Sequence, residues 1–279
     1  MDYIRDSQDA EKPFFVVVWF GSPHEPYSGL AKDLALYDKL PSKYNDRQVR
    51  LTSNETGQAV KRPLGDVLRE RYAEITAMDR SIGVLRDTLQ RDGLADRTLI
   101  WYCGDNGTPS SGLLTSPLRG QKGQVYEGGI RVPGVIEWPE RITSPQQSSV
   151  PSVTSDILPT LCQIAGVPLP RRPLDGVNVS GLFDGSMTER EQPICFWQFR
   201  RPTIGPEARP WIEPSLQKGT TPLVKLMRGE PTRTFTNIHQ PPPTASDYEG
   251  DRAIISGRYK LVVTGRAGES SLYDLEANQ

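Results

Sequence analysis

The stretch from Thr98 to Pro133, TLIWYCGDNGTPSSGLLTSPLRGQKGQVYEGGIRVP, constrains the fold more than any other part of this 279-residue chain. Leu99 to Cys103 is an apolar, aromatic run of strand length, and Gly104 stops it. Asp105 and Asn106 are thereby left just past the strand's C-terminal end, which is where ligands bind in open α/β sheets. Lys122 follows in Arg119-Gly120-Gln121-Lys122-Gly123, where flanking glycines let the backbone come close to whatever the ammonium holds. Asn106-Gly107 is also a common hairpin-turn dipeptide and a lone lysine in a glycine-rich loop is usually solvated, so neither carries the reading alone. Together they suggest a metal and an anion side by side.

The remainder of the chain reads as alternating strand and helix signals. Phe14 to Phe20 is a continuous apolar run bounded by charge and Gly21, as expected of a strand buried on both faces, with His24 after its C-terminal end. Residues 25 to 64 read as a polar loop with one short helix near Leu30 to Leu40. Tyr72, Ile75, Met78, Ile82, Leu85 and Leu89 recur at helical spacing and stop near Gly93, giving an amphipathic helix that would connect the first run to Thr98–Cys103 as a parallel pair. Val132 to Trp138 is a further strand. Thr154 or Ser155 is placed to cap a helix from Asp156 to Ala165, closed by Gly166. Nine prolines between Arg200 and Gly250 mark an insertion or linker outside the core. Ala253 to Val263 reads as a hairpin and Ser271 to Leu275 as one more strand.

Composition narrows the classes. The net charge of −1 leaves no footprint for nucleic acid or a membrane surface. Phe14 to Phe20 is too short to span a bilayer, and MDYIRDSQDAEKP lacks the apolar core of a signal peptide, so the compartment is left open. The three cysteines, Cys103, Cys162 and Cys195, are widely spaced and suit free buried thiols better than a disulfide framework.

The motifs Gly104-Asp105-Asn106-Gly107, Leu118-Arg119-Gly120-Gln121-Lys122-Gly123 and Tyr126-Glu127-Gly128-Gly129-Ile130-Arg131-Val132-Pro133 resemble the sulfatase family of the alkaline phosphatase superfamily, in order and spacing. Ser22-Pro23-His24-Glu25-Pro26 resembles the family's histidine loop. Asp156 to Leu161, Asp175-Gly176-Val177, Gly257 to Leu261 and Leu272 to Leu275 fit the later part. The resemblance implies an α/β fold, a mostly parallel sheet flanked by helices, with a small C-terminal antiparallel β subdomain. Residues 1–190 would be a partial catalytic domain, and 191–279 the C-terminal subdomain with the Pro-rich insertion.

The same resemblance implies sulfate ester hydrolysis, with His24 and Lys122 catalytic and contacting the sulfate, and Asp105 and Asn106 as Ca²⁺ ligands. A carboxylate and an amide oxygen are hard donors that suit calcium or magnesium better than zinc. The zinc pair of the related phosphatases uses several histidines, and this chain has only His24 and His239. Sulfatases also carry an Asp-Asp pair completing the calcium site and a Cys-x-Pro-x-Arg motif whose cysteine becomes the formylglycine nucleophile. No cysteine here has that context. The expectation is the central and C-terminal portion of a sulfatase, acting on a sulfated small molecule or carbohydrate, inactive alone and partnered by an N-terminal half. A non-catalytic remnant that binds sulfated ligands and a phosphoryl-transfer hydrolase of the superfamily are the alternatives.

Overall fold

Residues 1–52, 59–109, 116–198, 249–265 and 268–277 are described by the computed structural model. They fall into two compact units, one within residues 1–94 and the other from residue 95 onward. His239 and the Pro-rich segment up to residue 248 lie outside the described residues.

The first unit is built on one long helix. After α1 (Asp2–Asp9) and α2 (Ala31–Leu34), the hairpin β1 (Gln48–Thr52) and β2 (Ala59–Pro63) leads directly into α3 (Leu64–Arg91). The hairpin corrects the expectation of a loop from 25 to 64. Its strands are short and charged, but Val49, Leu51 and Val60 alternate onto one face and pack with Tyr27 and Val67. Pro63 is extended and precedes the first helical residue, where Leu64 donates its N–H back to the Arg47 carbonyl. The helix ends near Gly93, whose φ of +68° suits glycine. Its buried face lies toward the N-terminal end, at Leu64, Val67, Leu68 and Ala73, with Leu89 at the far end. Ile75 from the expected stripe is exposed.

A second correction concerns Phe14 to Phe20. The run belongs to no ladder, and from Phe15 to Phe20 it is exposed rather than buried, with Trp19 at 92%. The expected crossover from this run is therefore not formed among the described residues, where every ladder is antiparallel. An apolar run with neither face covered has the composition of an interior strand without the neighbours that would make it one.

The second unit carries the acidic tip. β3 (Ile100–Cys103) pairs antiparallel with β4 (Gly134–Glu137), so the intervening loop returns to its starting edge. Trp101 and Trp138 meet Phe183 edge-on, at ring separations of 6.5 and 6.2 Å. α4 (Glu127–Ile130) is a single turn within that loop. α5 (Ile157–Ala165) closes on Gly166 in the left-handed region, as expected. Its start differs: neither Thr154 nor Ser155 caps it. The fully buried Asp156 carboxylate instead accepts from the Val153 and Val177 amides and a two-bond fork from Arg190, at 2.8 and 2.9 Å. Those bonds satisfy a charge that would otherwise be costly to bury.

β5 (Ile194–Trp197), β6 (Arg252–Ser256), β7 (Tyr259–Thr264) and β8 (Glu269–Asp274) form an antiparallel four-stranded sheet in sequence order. The hairpin β6–β7 and the strand β8 match the sequence expectation, and β5 adds to it. Val125 from the β3–β4 loop packs into this sheet against Ala253 and Val262. No disulfide forms; Cys162 is buried, Cys103 half-buried and Cys195 exposed. No described helix is long and apolar enough to cross a membrane.

Candidate functional site

Residues 104–109 and 116–130, the described parts of the β3–β4 connection, are tied together by backbone. The Gly107 N–H donates to the Gly129 carbonyl at 2.8 Å, and Thr108 N–H to the Gly128 carbonyl at 2.9 Å. Lys122 N–H donates to the Thr108 carbonyl at 2.7 Å, and Gly128 N–H to the Arg119 carbonyl at 2.7 Å. Three segments, the acidic tip, the lysine turn and the α4 turn, are thus held in one hydrogen-bonded patch. Their glycines are required by closeness. A side chain on Gly107 would collide with the Gly128 carbonyl, and one on Gly128 with the Gly120 carbonyl.

Asp105 lies exposed at the tip and Asn106 half-buried behind it. The Asn106 Nδ2 donates to the Gly107 carbonyl at 3.0 Å, which turns Oδ1 to the other side of the amide. The pair thus presents a carboxylate and an amide oxygen on adjacent residues, a donor set that fits part of a hard-cation shell. It is only a part. Among the described residues no group of three or more His, Cys, Asp or Glu side chains could hold a metal. Behind the tip, burial and the Asp105 charge both push the Cys103 thiol above its ordinary pKa, away from the thiolate a nucleophile needs.

Lys122 is exposed on its turn, so its ammonium is free of the packing that holds its backbone. Arg119, three residues earlier, is committed. Its guanidinium lies 4.2 Å from the Tyr126 ring centre and donates to the Tyr273 hydroxyl at 2.6 Å. Glu127 accepts from Lys260 at 2.7 Å. Arg119, Glu127 and Tyr273 all lie in the motifs, but their pairing and the part played by Lys260 escaped the sequence reading, because the partners are far apart in the chain.

His24 belongs to the first unit. Its Nδ1 lies 2.8 Å from the Glu25 carbonyl, which can only accept, so Nδ1 carries a proton and Nε2 is the nitrogen left for chemistry. The His24 N–H donates to Gly21, and the following Tyr27 is buried. The Ser28 N–H is taken by Glu74 on α3 at 2.8 Å. Burial pushes the Glu74 carboxyl up, against the pull of the Ser28 bond and the His24 charge. Nothing in the sequence pattern singled out Glu74.

Comparison with solved structures defines the class first. The chain superposes over 99% of its length on 47% of Ps i-CgsB, crystallised in complex with k-i-k-neocarrahexaose, with a TM-score of 0.67 and 20% identity. It also matches the structure of BT4656 in complex with its substrate D-glucosamine-2-N,6-O-disulfate, at a TM-score of 0.52 and 20% identity over 77% of this chain and 35% of that one. These likenesses establish the α/β, alkaline phosphatase-like fold with its C-terminal antiparallel sheet. Human arylsulfatase A is 30% identical over 200 residues, which is 70% of this chain and 34% of the relative. With the sulfatase family profile matching residues 1–167, the chain belongs to the sulfatase family. It spans about a third of the length of that curated relative.

Proposed function

We propose that residues 1–279 are part of a calcium-dependent sulfatase that hydrolyses sulfate esters of a small molecule or carbohydrate, with Lys122 and His24 acting on the sulfate group. The observation that carries this reading is the backbone patch in which the Asp105-Asn106 tip and the Lys122 turn are joined through Thr108. A hard-cation donor pair and an exposed ammonium carried on one hydrogen-bonded element suit a reaction on an anionic sulfate ester. The carbohydrate complexes of the two fold neighbours favour a sulfated sugar as substrate.

Lys122 holds the charge spread over the sulfate oxygens through charge-assisted hydrogen bonds, which strengthen as the leaving oxygen departs. His24, its Nδ1 fixed on the Glu25 carbonyl, delivers a proton from Nε2 to that oxygen in its imidazolium form. Asp105 and Asn106 would hold Ca²⁺, which when bound withdraws charge from a sulfate oxygen as a Lewis acid. Two protein ligands fall short of the six to eight that Ca²⁺ takes. The remaining ligands and the Cys-x-Pro-x-Arg segment are assigned to polypeptide outside residues 1–279, which would also cover Phe14–Phe20.

An activated aryl sulfate tests the assignment, assayed with the 279-residue chain alone and with the Cys-x-Pro-x-Arg segment supplied. The expected result is no turnover alone, little thermal stabilisation by millimolar Ca²⁺, and Ca²⁺-dependent turnover on completion. Turnover by the chain alone, abolished by Asp105→Ala, would place the whole site within these residues and overturn the partition. Failure of both preparations would overturn the proposed sulfate ester hydrolysis.

A further inference from the structure

Lys260 on β7 is 1% exposed, an unusual place for an ammonium. It shares the core-facing side of the strand with Val262, and its cross-strand neighbours are Ile255 on β6 and Tyr273 on β8. A methionine would fill such a position without the cost of desolvating a charge. The ammonium lies 2.7 Å from Glu127 Oε1, in a residue 133 positions earlier. Glu127 opens α4, and the next two residues, Gly128 and Gly129, supply the carbonyls that hold Thr108 and Gly107.

A second tie runs alongside. Tyr273, directly across from Lys260 in the β7–β8 ladder, accepts from Arg119, whose own carbonyl holds the Gly128 N–H. Tyr126 stands edge-on to Tyr273 at 6.5 Å, and Arg119 stacks on it. The C-terminal sheet therefore grips the loop at Glu127 and at Arg119, on either side of the turn that carries Lys122.

We propose that Lys260 is a positioning residue for the sulfate-binding loop: through Glu127 it fixes α4, and through α4 the Asp105–Thr108 tip and the Lys122 turn. The functional half of this inference rests on the assignment of Lys122 to the sulfate; the mechanical half does not. The C-terminal sheet then has a role in the site although none of its residues touches substrate. Four links join Lys260 to Lys122: the Lys260–Glu127 pair, the covalent step from Glu127 to Gly128, and the hydrogen bonds from Thr108 to Gly128 and from Lys122 to Thr108. Burial lowers the Lys260 pKa against the raising effect of Glu127, so the ammonium is held there at a cost that Glu127 offsets.

Amide hydrogen exchange on the full 279-residue chain tests the mechanical half. In Lys260→Met the Gly107, Thr108 and Lys122 amides should exchange about tenfold faster or more, because their acceptors sit on the released segments. The β3–β4 and α5 amides should keep their rates. Glu127→Gln retains an acceptor for Lys260 but not the charge, and should show the same pattern more weakly, which covers the case in which Lys260→Met does not fold. Unchanged exchange at the three amides would overturn the proposal. So would uniform acceleration across the unit, since that marks a stability role with no special link to the loop.

Inorganic sulfate then separates the two halves. Sulfate should slow exchange around Lys122 in the wild-type chain, do so less in Lys260→Met at the same concentration, and have no effect in Lys122→Ala. If sulfate slows nothing in the wild type, the sulfate assignment of Lys122 fails and the functional half falls with it, while the exchange rates without sulfate still decide the brace.

Discussion

Each unit carries one of the two loops assigned to the sulfate, and they are pinned by different physics. The Lys122 loop is held by backbone against backbone, with glycines where three segments meet and with two ties to the C-terminal sheet. The His24 loop follows an exposed apolar run and is pinned by buried Tyr27, the Gly21–His24 turn and the grip of Glu74 on Ser28. A loop of the first kind is specified by its own interlocked backbone together with the sheet residues that grip it. A loop of the second kind rests on a few side-chain contacts, and the apolar run that leads into it is exposed.

The sharpest way to break this comparison is chemical. In the completed enzyme Lys122→Ala should cost roughly 2 to 4 kcal/mol of transition-state stabilisation, the size of a lost oxyanion donor, read as a fall in kcat/KM. An unchanged rate would remove Lys122 from the site. His24→Ala should depend on the leaving group, hurting alkyl sulfates more than activated aryl sulfates if Nε2 supplies the proton. Equal losses on both would confine His24 to binding.

A pair of identical substitutions then compares the loops mechanically. Gly107→Ala drives a methyl into the Gly128 carbonyl and should destabilise the second unit by about 2 to 3 kcal/mol, since backbone on both sides cannot move aside. Gly21→Ala, just ahead of His24, meets nothing within 4 Å and has no positive φ. It should change stability by no more than about 0.5 kcal/mol. Urea unfolding of the two variants reads the difference. Similar losses in both would mean that the His24 loop is as tightly interlocked as the other.

Where the sequence spoke clearly, local chemistry was enough. The β3 stop at Gly104, the α5 close at Gly166 and the β6–β7 hairpin around Gly257-Arg258 each depend on residues within a turn of one another. The β1–β2 hairpin was hidden because Gln48, Arg50, Lys61 and Arg62 dilute its alternation. Phe14–Phe20 misled for a different reason. Apolar composition reports what a strand can bury, and burial also needs neighbours, which the described residues do not provide. Of the residues proposed for the site, Asp105, Asn106 and Lys122 stand out in the sequence by motif spacing. Glu74 and Lys260 were not, since a charged residue on a helix or strand reads as a solvated face until its long-range partner is known.

The smallest expected effect concerns Glu74, and its sign follows from burial. Oε1 accepts from Ser28, but Oε2 is buried with no hydrogen-bond partner among the described residues. Desolvation raises the Glu74 pKa above its ordinary 4.5, with the Glu70 charge adding to it and the Ser28 bonds and His24 charge opposing. Between 4.5 and the raised value the native chain binds more protons than the unfolded one, so this group's contribution is complete below pH 4.5 and is lost as pH rises through the native pKa. Glu74→Gln imitates the protonated carboxyl and keeps an acceptor for Ser28. It should therefore match the wild type in acid and exceed it near neutrality by up to about 1 kcal/mol, seen as a Tm difference that opens with pH. A glutamine variant less stable at neutral pH would show that the Glu74 charge, acting with His24, holds the loop, and the His24 loop would then be pinned by an ion pair instead of merely tolerating a half-buried carboxylate.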